Sequence, residues 1–263
     1  MSHWGYGSEN GPETWSKAFP AASGVRQSPI DICPVNLQTE QVKPLTWKYI
    51  PENEKTLANN GHSWVVNVDG QGSELSGGPL EGKYMLEQFH CHWGASDEEG
   101  SEHTVQGKKY SGELHLVHWN TKYSSFAEAA KHPDGLCVLG VFIKPGKPNN
   151  DIAKIVSKFN LIQHKSCNAK ISTPMDPSNF LPKDSGYWTY MGSLTTPPCS
   201  ECVIWIVFQE PIEVSHEQLK AFRTLKTYCS EDVCPCDEYQ GYLKNNYRPT
   251  VPLGERVIRE CRQ

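Results

Sequence analysis

Two short segments of the chain, residues 87–93 and 113–119, alternate their side chains as a half-buried β-strand does. Successive side chains of a strand point to opposite faces, so Gln88, His90 and His92 share one face of the first segment. The residues between them are apolar and form a packing face. The first segment therefore predicts a strand that carries two imidazoles side by side, about 7 Å apart at their Cα atoms.

In the second segment the same two-residue period puts Glu113, His115 and Val117 on one face. If this face and the polar face of the first strand look into one cleft, His90, His92 and His115 converge. Three neutral imidazoles that leave a fourth position open are the ligands of a catalytic zinc site. The two segments together therefore predict a zinc centre.

A pair of histidines on one strand is common, and such a pair alone is more often not a set of metal ligands. The neighbouring polar residues favour a metal site here. Gln88 lies two residues before His90 on the same face, and Glu113 lies two residues before His115. A ligating imidazole needs an acceptor for its second ring N–H, and each of these side chains can serve one histidine.

The rest of the chain favours a mainly β fold. Its 263 residues include 21 Gly and 19 Pro, which indicate many turns between short strands. Further strands are predicted at Trp64–Val68, 136–144 and 202–209, and the apolar runs within them are too short to cross a membrane. Because no repeat or linker is found, we expect one domain over residues 1–263. Residues 1–25, which are rich in Gly, Pro and aromatic side chains, are expected to form an ordered N-terminal arm.

Helices are predicted to be few, short and peripheral. Asp151 is predicted to cap a helix that has one apolar face. Ser215 and Gln218 have the spacing of a capping box ahead of an apolar run. Ser125 is predicted to cap a short helix that ends at Ala130.

Charge and cysteine content limit the partners and the compartment. Lys and Arg number 25 and Asp and Glu number 30, and the resulting net charge of −5 argues against a nucleic-acid binder. Neither end carries a signal-peptide or lipid-anchor pattern, so we expect a cytoplasmic protein without a membrane anchor. There the 10 cysteines are expected to be reduced thiols. Cys229, Cys234 and Cys236 could hold a metal or a disulfide, but their spacing matches no common zinc pattern, and we expect a reduced surface loop.

Several longer motifs occur in order along the chain. Four of them contain or follow the residues above: Gln88-Phe-His-Cys-His-Trp-Gly94, Gly100-Ser-Glu-His-Thr104, Glu113-Leu-His-Leu-Val-His-Trp-Asn120 and Gly192-Ser-Leu-Thr-Thr-Pro-Pro198. The others are Trp4-Gly-Tyr6, Arg26-Gln-Ser-Pro-Ile-Asp31, Asn60-Gly-His62 and Asn246-Tyr-Arg-Pro249. Over nearly the whole chain they resemble the alpha-class carbonic anhydrases, and most closely the cytosolic branch. That family is also the standard example of a three-histidine zinc site.

This resemblance implies a fold and a reaction. The fold is a large twisted sheet of about ten strands, mostly antiparallel, with zinc in a central conical cleft. The reaction is the reversible hydration of carbon dioxide to bicarbonate and a proton by zinc-bound hydroxide, which makes the chain a carbonate dehydratase, a zinc-dependent hydro-lyase. Zinc lowers the pKa of its bound water to about 7, a value for which this family is the standard case.

The resemblance also implies roles for residues around the metal. The three histidines above match the zinc ligands, and Gln88, Glu113 and the backbone carbonyl of Asn246 match the groups that hold their second nitrogens. Thr195 matches a hydroxyl that accepts a hydrogen bond from the hydroxide and passes its own proton to Glu102. This pair would orient the nucleophile and reject ligands that carry no proton.

Carbon dioxide is apolar and needs a hydrophobic wall beside the metal. The residues that match this wall by resemblance are Val117, Val138, Leu194, Val203 and Trp205. Ordinary core packing also accounts for each of them, and the two roles are compatible. Thr196 matches a position beside both the substrate and the water chain.

His62 matches the proton shuttle of the family. An unperturbed imidazole titrates near neutral pH, which suits the transfer of a proton from the metal site to buffer. Tyr6, Asn60 and Thr196 would help to order the water chain. Val65 is a departure, because close relatives often carry a polar group there, and its apolar side chain removes one hydrogen-bonding partner from that chain.

The resemblance implies carbon dioxide and bicarbonate as partners, sulfonamides and small anions as inhibitors, and a monomer. A carbonic-anhydrase-like binding protein without catalysis is the alternative from another class. Such relatives lose a zinc ligand or block the cleft, whereas all three histidines, Thr195 and Glu102 are present here. A zinc protease is disfavoured because no His-Glu-x-x-His occurs, while residual ester hydrolysis is compatible with the same hydroxide.

Overall fold

The computed structural model describes residues 3–33, 37–69, 71–183 and 186–262. Most of its regular structure is β-sheet, and the strands among the described residues are β1 Asp31–Ile32, β2 Leu37–Glu40, β3 Lys43–Lys48, β4 Glu54–Asn59, β5 Trp64–Val68, β6 Glu74–Gly78, β7 Tyr84–Trp93, β8 Thr104–Val105, β9 Gly112–Asn120, β10 Leu136–Pro145, β11 Asn168–Lys170, β12 Tyr187–Gly192, β13 Val203–Phe208, β14 Ile212–Val214 and β15 Ile258–Cys261. The α-helices are α1 Phe126–Ala129, α2 Asn150–Val156 and α3 His216–Phe222. Short 3-10 helices lie at Pro12–Lys17, Pro20–Ser23, Pro51–Asn53, Phe159–Leu161 and Pro177–Phe180. No helix in this part of the chain is long and apolar enough to cross a membrane.

One large sheet forms the body of the protein. Within the described residues it has 13 strands, with β11, β4, β5, β7, β9, β10, β13, β12, β15 and β2 in consecutive order. Most pairings are antiparallel, and the parallel ones join β10 to β13 and β14, and β15 to β2. The prediction of a mainly β fold with a mostly antiparallel sheet is confirmed. The sheet exceeds the predicted ten or so strands because short segments such as β11 and β14 pair at its borders.

The pairing of β7 with β9 sets the geometry of the centre of the sheet. In this antiparallel register His90 lies opposite His115, and His92 lies opposite Glu113. On the other side of β7, Val65 of β5 lies opposite His90. The polar faces predicted for the two segments are therefore one continuous face.

The opposite face of these strands packs into the larger of two hydrophobic cores. Phe89 and Leu116 are fully buried there and pack in the same cluster as Phe222 of α3. His118 of β9 also points to this side, where its Nε2 lies 2.9 Å from the Tyr49 hydroxyl. His118 is thus a hydrogen-bonded core histidine.

The helix caps test three predictions. Ser125 caps α1, and Ser215 and Gln218 form the predicted capping box of α3, so both are confirmed. The predicted cap at Asp151 is wrong, because Asn149 caps α2 and its side-chain oxygen accepts two backbone N–H groups. Asn and Asp are equally good caps, and only the extended backbone at Asn149 decides between them.

The N-terminal arm packs through a small aromatic cluster, although residues 1 and 2 of the predicted arm lie outside the described residues. Trp15 is 2% exposed, and its indole N–H donates to two backbone carbonyls of the arm. The rings of Trp4 and Tyr6 pack edge-on against it, with centroids 5.4 and 5.7 Å away. This cluster fixes the two rings that lie beside His62.

A buried carboxyl group lies at the start of β4. Glu54 is 4% exposed, and its Oε2 accepts a hydrogen bond of 2.9 Å from the backbone N–H of Met175. Its Oε1 is buried without a hydrogen-bond partner among the described residues. Burial raises the pKa of Glu54 to about 7. The charged form of this side chain is therefore disfavoured in the fold.

We expect Glu54→Gln to stabilise the protein above neutral pH. A folded-state pKa above the unfolded value means that the wild type loses stability as pH rises from about 4.5 through 7, and Gln has no such loss. The free energy of unfolding of the variant should exceed that of the wild type by about 1–3 kcal/mol at pH 8 and match it near pH 4. Denaturant unfolding at both pH values measures this, with the exposed neighbour Glu52→Gln as control. A gain that is equal at the two pH values would contradict the assignment.

Candidate metal centre

Three imidazoles meet on the shared face of β7 and β9. The ring centroids of His90, His92 and His115 lie 4.7 to 5.3 Å apart. One nitrogen from each ring lies within 4.8 Å of the others. His92 and His115 are buried and His90 is partly buried, so the three predicted ligands are brought together in a site largely screened from water.

The outer nitrogen of each ring contacts an acceptor. His90 Nδ1 lies 2.7 Å from Gln88 Oε1, and His92 Nδ1 lies 2.7 Å from the backbone carbonyl of Asn246. His115 Nε2 lies 2.8 Å from Glu113 Oε1. Because these partners are oxygens that only accept, each outer nitrogen carries the hydrogen and donates it.

The second nitrogen of each ring, which faces the other two rings, therefore carries no hydrogen and presents a lone pair to them. His90 Nε2 and His92 Nε2 are only 3.1 Å apart, and no proton remains to lie between them. A zinc ion with tetrahedral coordination and Zn–N bonds of 2.0–2.1 Å would hold two ligand nitrogens about 3.3 Å apart, and binding it would remove this repulsion. The donor set and its spacing fit zinc.

The environment also favours the neutral form of His90 and His92, as metal binding requires. Burial lowers the pKa of His90 well below its ordinary value, and the neighbouring imidazoles of His92 and His115 lower it further. Burial likewise lowers the pKa of His92. These two rings are thus poor proton acceptors and are available as ligands at neutral pH.

Glu113 is the most heavily hydrogen-bonded side chain at the site. Besides His115, its Oε1 accepts from Nδ1 of His103 at 2.7 Å. Its Oε2 accepts from the backbone N–H groups of Glu102 and His103, at 2.9 and 2.8 Å. His103 and the hydrogen bonds hold the pKa of Glu113 far below its usual range, against the opposing effect of burial.

His103, Glu113 and His115 also lie close enough to form a second candidate metal group. In that group, however, the carboxylate is already engaged by four N–H donors, so it acts as an acceptor within a hydrogen-bond network. The inward-facing set of His90, His92 and His115 is therefore the candidate metal site.

Sequence reasoning gave His103 no role, although it lies inside a quoted motif. Its Nε2 lies 2.6 Å from the Tyr190 hydroxyl, which in turn bonds Ser28 Oγ at 2.8 Å. All three residues are buried. His103 follows Glu102 outside a regular strand, so no side-chain period pointed to it. The spacing of ten residues between His103 and Glu113 was the one sequence feature that could have suggested their contact.

Glu102 is buried beside the candidate metal site, and its Oε1 lies 3.4 Å from His92 Nδ1. That oxygen accepts a hydrogen bond of 2.8 Å from the backbone N–H of Arg248. Its Oε2 is buried and has no hydrogen-bond partner among the described residues, so it makes no bond to Thr195 in this structure. Thr195 is itself buried, with 6% exposure.

The five residues expected to form the hydrophobic wall lie together. Val117, Val138, Val203 and Trp205 are buried in the smaller hydrophobic core. Leu194 is partly buried and packs against this core. The registers explain this, because Val138 of β10 lies opposite Val117 of β9 on one side and opposite Trp205 of β13 on the other. Trp205 also packs edge-on against the His115 ring, with centroids 4.8 Å apart. The hydrophobic wall therefore extends to the imidazole ring of His115.

His62 is stacked on an aromatic ring of the arm. Its ring lies 3.6 Å from that of Trp4, with 7° between the two planes. Burial, together with the smaller effects of the charges of His3 and Lys165, lowers the pKa of His62 to about 3. In this position the imidazole is neutral at pH 7.

The predicted proton path has four further residues with different surroundings. The side-chain oxygen of Asn60 accepts the backbone N–H groups of His62 and Ser63, so it shapes the turn that carries His62. The hydroxyl of Tyr6 is buried without a partner among the described residues. Val65 is 8% exposed and presents no polar group. Thr196 is partly exposed.

Comparison with known proteins agrees with this geometry. A family model described as eukaryotic-type carbonic anhydrase matches residues 10–262. Carbonic anhydrase 1 of Monodelphis domestica is 44% identical over 261 residues, which cover 98% of this chain and 97% of that protein.

We expect the ligand and its partner to differ in their effect on metal binding. His115→Ala removes one of three donors and should lower zinc affinity by orders of magnitude. Glu113→Ala keeps the donor and should cost roughly 10–100-fold, a range established in part on carbonic anhydrases. Competition with a chromogenic chelator measures both affinities, and circular dichroism reports the fold. Stoichiometric, tight zinc in folded His115→Ala would show that the ligand set is wrong.

Proposed function

The chain belongs to the eukaryotic-type carbonic anhydrase family and is a carbonate dehydratase, and on that premise we propose that it hydrates carbon dioxide at a zinc held by His90, His92 and His115. The products are bicarbonate and a proton. The observation that carries the proposal is the set of three imidazoles whose outer nitrogens are held by acceptors and whose inner nitrogens converge. Bound zinc supplies Lewis acidity that generates a nucleophile from water at neutral pH, the chemistry for which this family is the standard case.

The chain's own contribution begins with the orientation of the ligands. Gln88, the Asn246 carbonyl and Glu113 fix which nitrogen of each ring faces inward. Because Glu113 is held as a carboxylate by four N–H donors, it makes the His115 ring a stronger electron donor. These groups pre-organise the site before metal or substrate arrives.

Glu102 and Thr195 select the ligand in the open position. The unpartnered Oε2 of Glu102 needs a donor, since a buried acceptor without a hydrogen bond is costly. We assign the Thr195 hydroxyl to that oxygen once the site is loaded. A hydroxyl has a single hydrogen, so Thr195 would then accept only from a ligand that carries a proton. This arrangement favours hydroxide or water over proton-free anions.

The apolar wall binds the substrate. Carbon dioxide makes no strong hydrogen bond, and a surface of valines beside the ligands gives it a place from which water is excluded. Val117, Val138 and Val203 are each at most 3% exposed, and Trp205 joins this surface to His115. Small-anion and sulfonamide inhibitors would compete at the same place.

The proton leaves through His62. Stacked on Trp4, the ring has too low a pKa to accept a proton near pH 7. Away from Trp4 and exposed to water, it would regain a pKa near 6.5 and could take a proton from the site and release it to buffer. Asn60 holds the turn while the ring moves, and Val65 leaves the path with one fewer polar group.

We place the reaction in the cytoplasm, with a monomer as the working unit, from the resemblance to the cytosolic branch.

The direct test is stopped-flow hydration of carbon dioxide, with zinc measured per mole of protein. The zinc-loaded wild type should be active, and His115→Ala should lose both zinc and activity. The alternative, a binding domain without catalysis, would show full zinc occupancy with hydration no faster than the uncatalysed rate.

We expect His62→Ala to slow the proton step alone. The variant should lower kcat by roughly 10-fold or more and leave kcat/KM close to the wild-type value, because carbon dioxide attack does not use this ring. Imidazole buffer should restore much of the lost kcat. His132→Ala is the matched control, since His132 also stacks on an aromatic ring, that of Tyr123. Full kcat for His62→Ala in dilute, non-shuttling buffer would assign the proton to another group.

A further inference from the structure

The loop that carries Cys229, Cys234 and Cys236 has no part in the reaction above. A β-bridge between Lys226 and Tyr242 closes it, and its tip is open to solvent, with Val233 92% exposed. All 10 cysteines lie within the described residues as free thiols. Only Cys234 and Cys236 among them are exposed, so a soluble oxidant reaches this pair first.

The chain holds these two cysteines near each other. They are separated only by Pro235, so their Cα atoms lie within about 7 Å. That separation is at the upper end of the range that a disulfide spans. A bond formed there would be strained and exposed, and disulfides of that kind are readily reduced again.

The backbone of the loop holds the Cys234 side chain in place. Its Sγ contacts the backbone carbonyl of Gln240 at 3.2 Å, and the ammonium group of Lys226 lies within electrostatic range. Two of the loop's carboxylates accept backbone N–H groups: Asp232 accepts from Cys229, and Asp237 accepts from Tyr239 and Gly241. The Cys234 side chain is thus held at the surface within reach of soluble disulfides, and its thiolate is the form that reacts with them.

Three of the competing thiols are disfavoured by their surroundings. A hydrogen bond to Asp31 raises the pKa of Cys33. Burial raises the pKa of Cys199 to about 11 and that of Cys202 to about 12. These groups are neutral thiols at physiological pH and react slowly with disulfides.

We propose that Cys234 and Cys236 form a reversible redox site that reacts with low-molecular-weight disulfides such as glutathione disulfide. The Cys234 thiolate attacks one sulfur of glutathione disulfide, which breaks that S–S bond, forms a mixed disulfide and releases one glutathione. The Cys236 thiolate then attacks Cys234 Sγ, closes the Cys234–Cys236 bond and releases the second glutathione. The two cysteines are oxidised, one glutathione disulfide is reduced, and the two cysteine protons pass to the released thiols.

The test treats the reduced, zinc-loaded full chain with glutathione disulfide and follows it by intact mass and peptide mapping. The wild type should lose two hydrogens, with the bridge mapped to Cys234 and Cys236, and excess reduced glutathione should reverse this. Cys236→Ser should stop at one glutathione on Cys234, and Cys234→Ser should lose the bridge. Cys229→Ser is the matched control from the same loop and should behave as the wild type.

Several outcomes would overturn the proposal. Loss of the bridge in Cys229→Ser would assign it to another pair, and glutathione spread evenly over Cys33, Cys167 and Cys229 would show no selective site. Absence of any reaction at Cys234 in Cys236→Ser would also refute it. Zinc content measured alongside reveals unfolding, and because no step uses carbon dioxide, the result is independent of the proposed hydration activity.

Discussion

The antiparallel register between β7 and β9 is the constraint on which the rest of the site depends. It sets His90 directly opposite His115, where side chains of neighbouring strands come within contact distance. A slip of one residue would turn every side chain of one strand to the other face. It would move the histidines into the apolar core and bring Phe89 or Leu116 into the site. Because both faces are largely buried, the hydrophobic core enforces the register that brings the three candidate ligands together.

Glu113 shows how the fold holds a charge in this interior. An ionised carboxylate without partners is very costly to bury, yet Glu113 is fully buried and its pKa is held low. Four N–H donors from His103, His115 and the backbone of Glu102 offset that cost. Glu54 is the contrast, with one N–H donor, one unpartnered oxygen and a raised pKa. The number of N–H donors thus distinguishes Glu113, whose pKa is lowered, from Glu54, whose pKa is raised.

Sequence periodicity predicted the faces of β7 and β9, and with them the three converging histidines and the partners Gln88 and Glu113. It could not supply the strand register or the backbone carbonyl of Asn246, since a carbonyl has no side-chain signature and lies far away in the chain. Asn246 and the substrate wall came from the family resemblance. His103 was missed because it lies outside a regular strand. The stacking of His62 on Trp4, with its lowered pKa, depends on packing of the arm, which no local pattern encodes.

We propose that three acceptors orient three imidazoles toward one zinc ion. A crystal structure of the zinc-loaded protein, with anomalous diffraction at the zinc edge, tests this proposal. We expect one strong peak within about 2.0–2.1 Å of Nε2 of His90, Nε2 of His92 and Nδ1 of His115. Zinc bound instead through Glu113 and His103, or through Nε2 of His115, would contradict it.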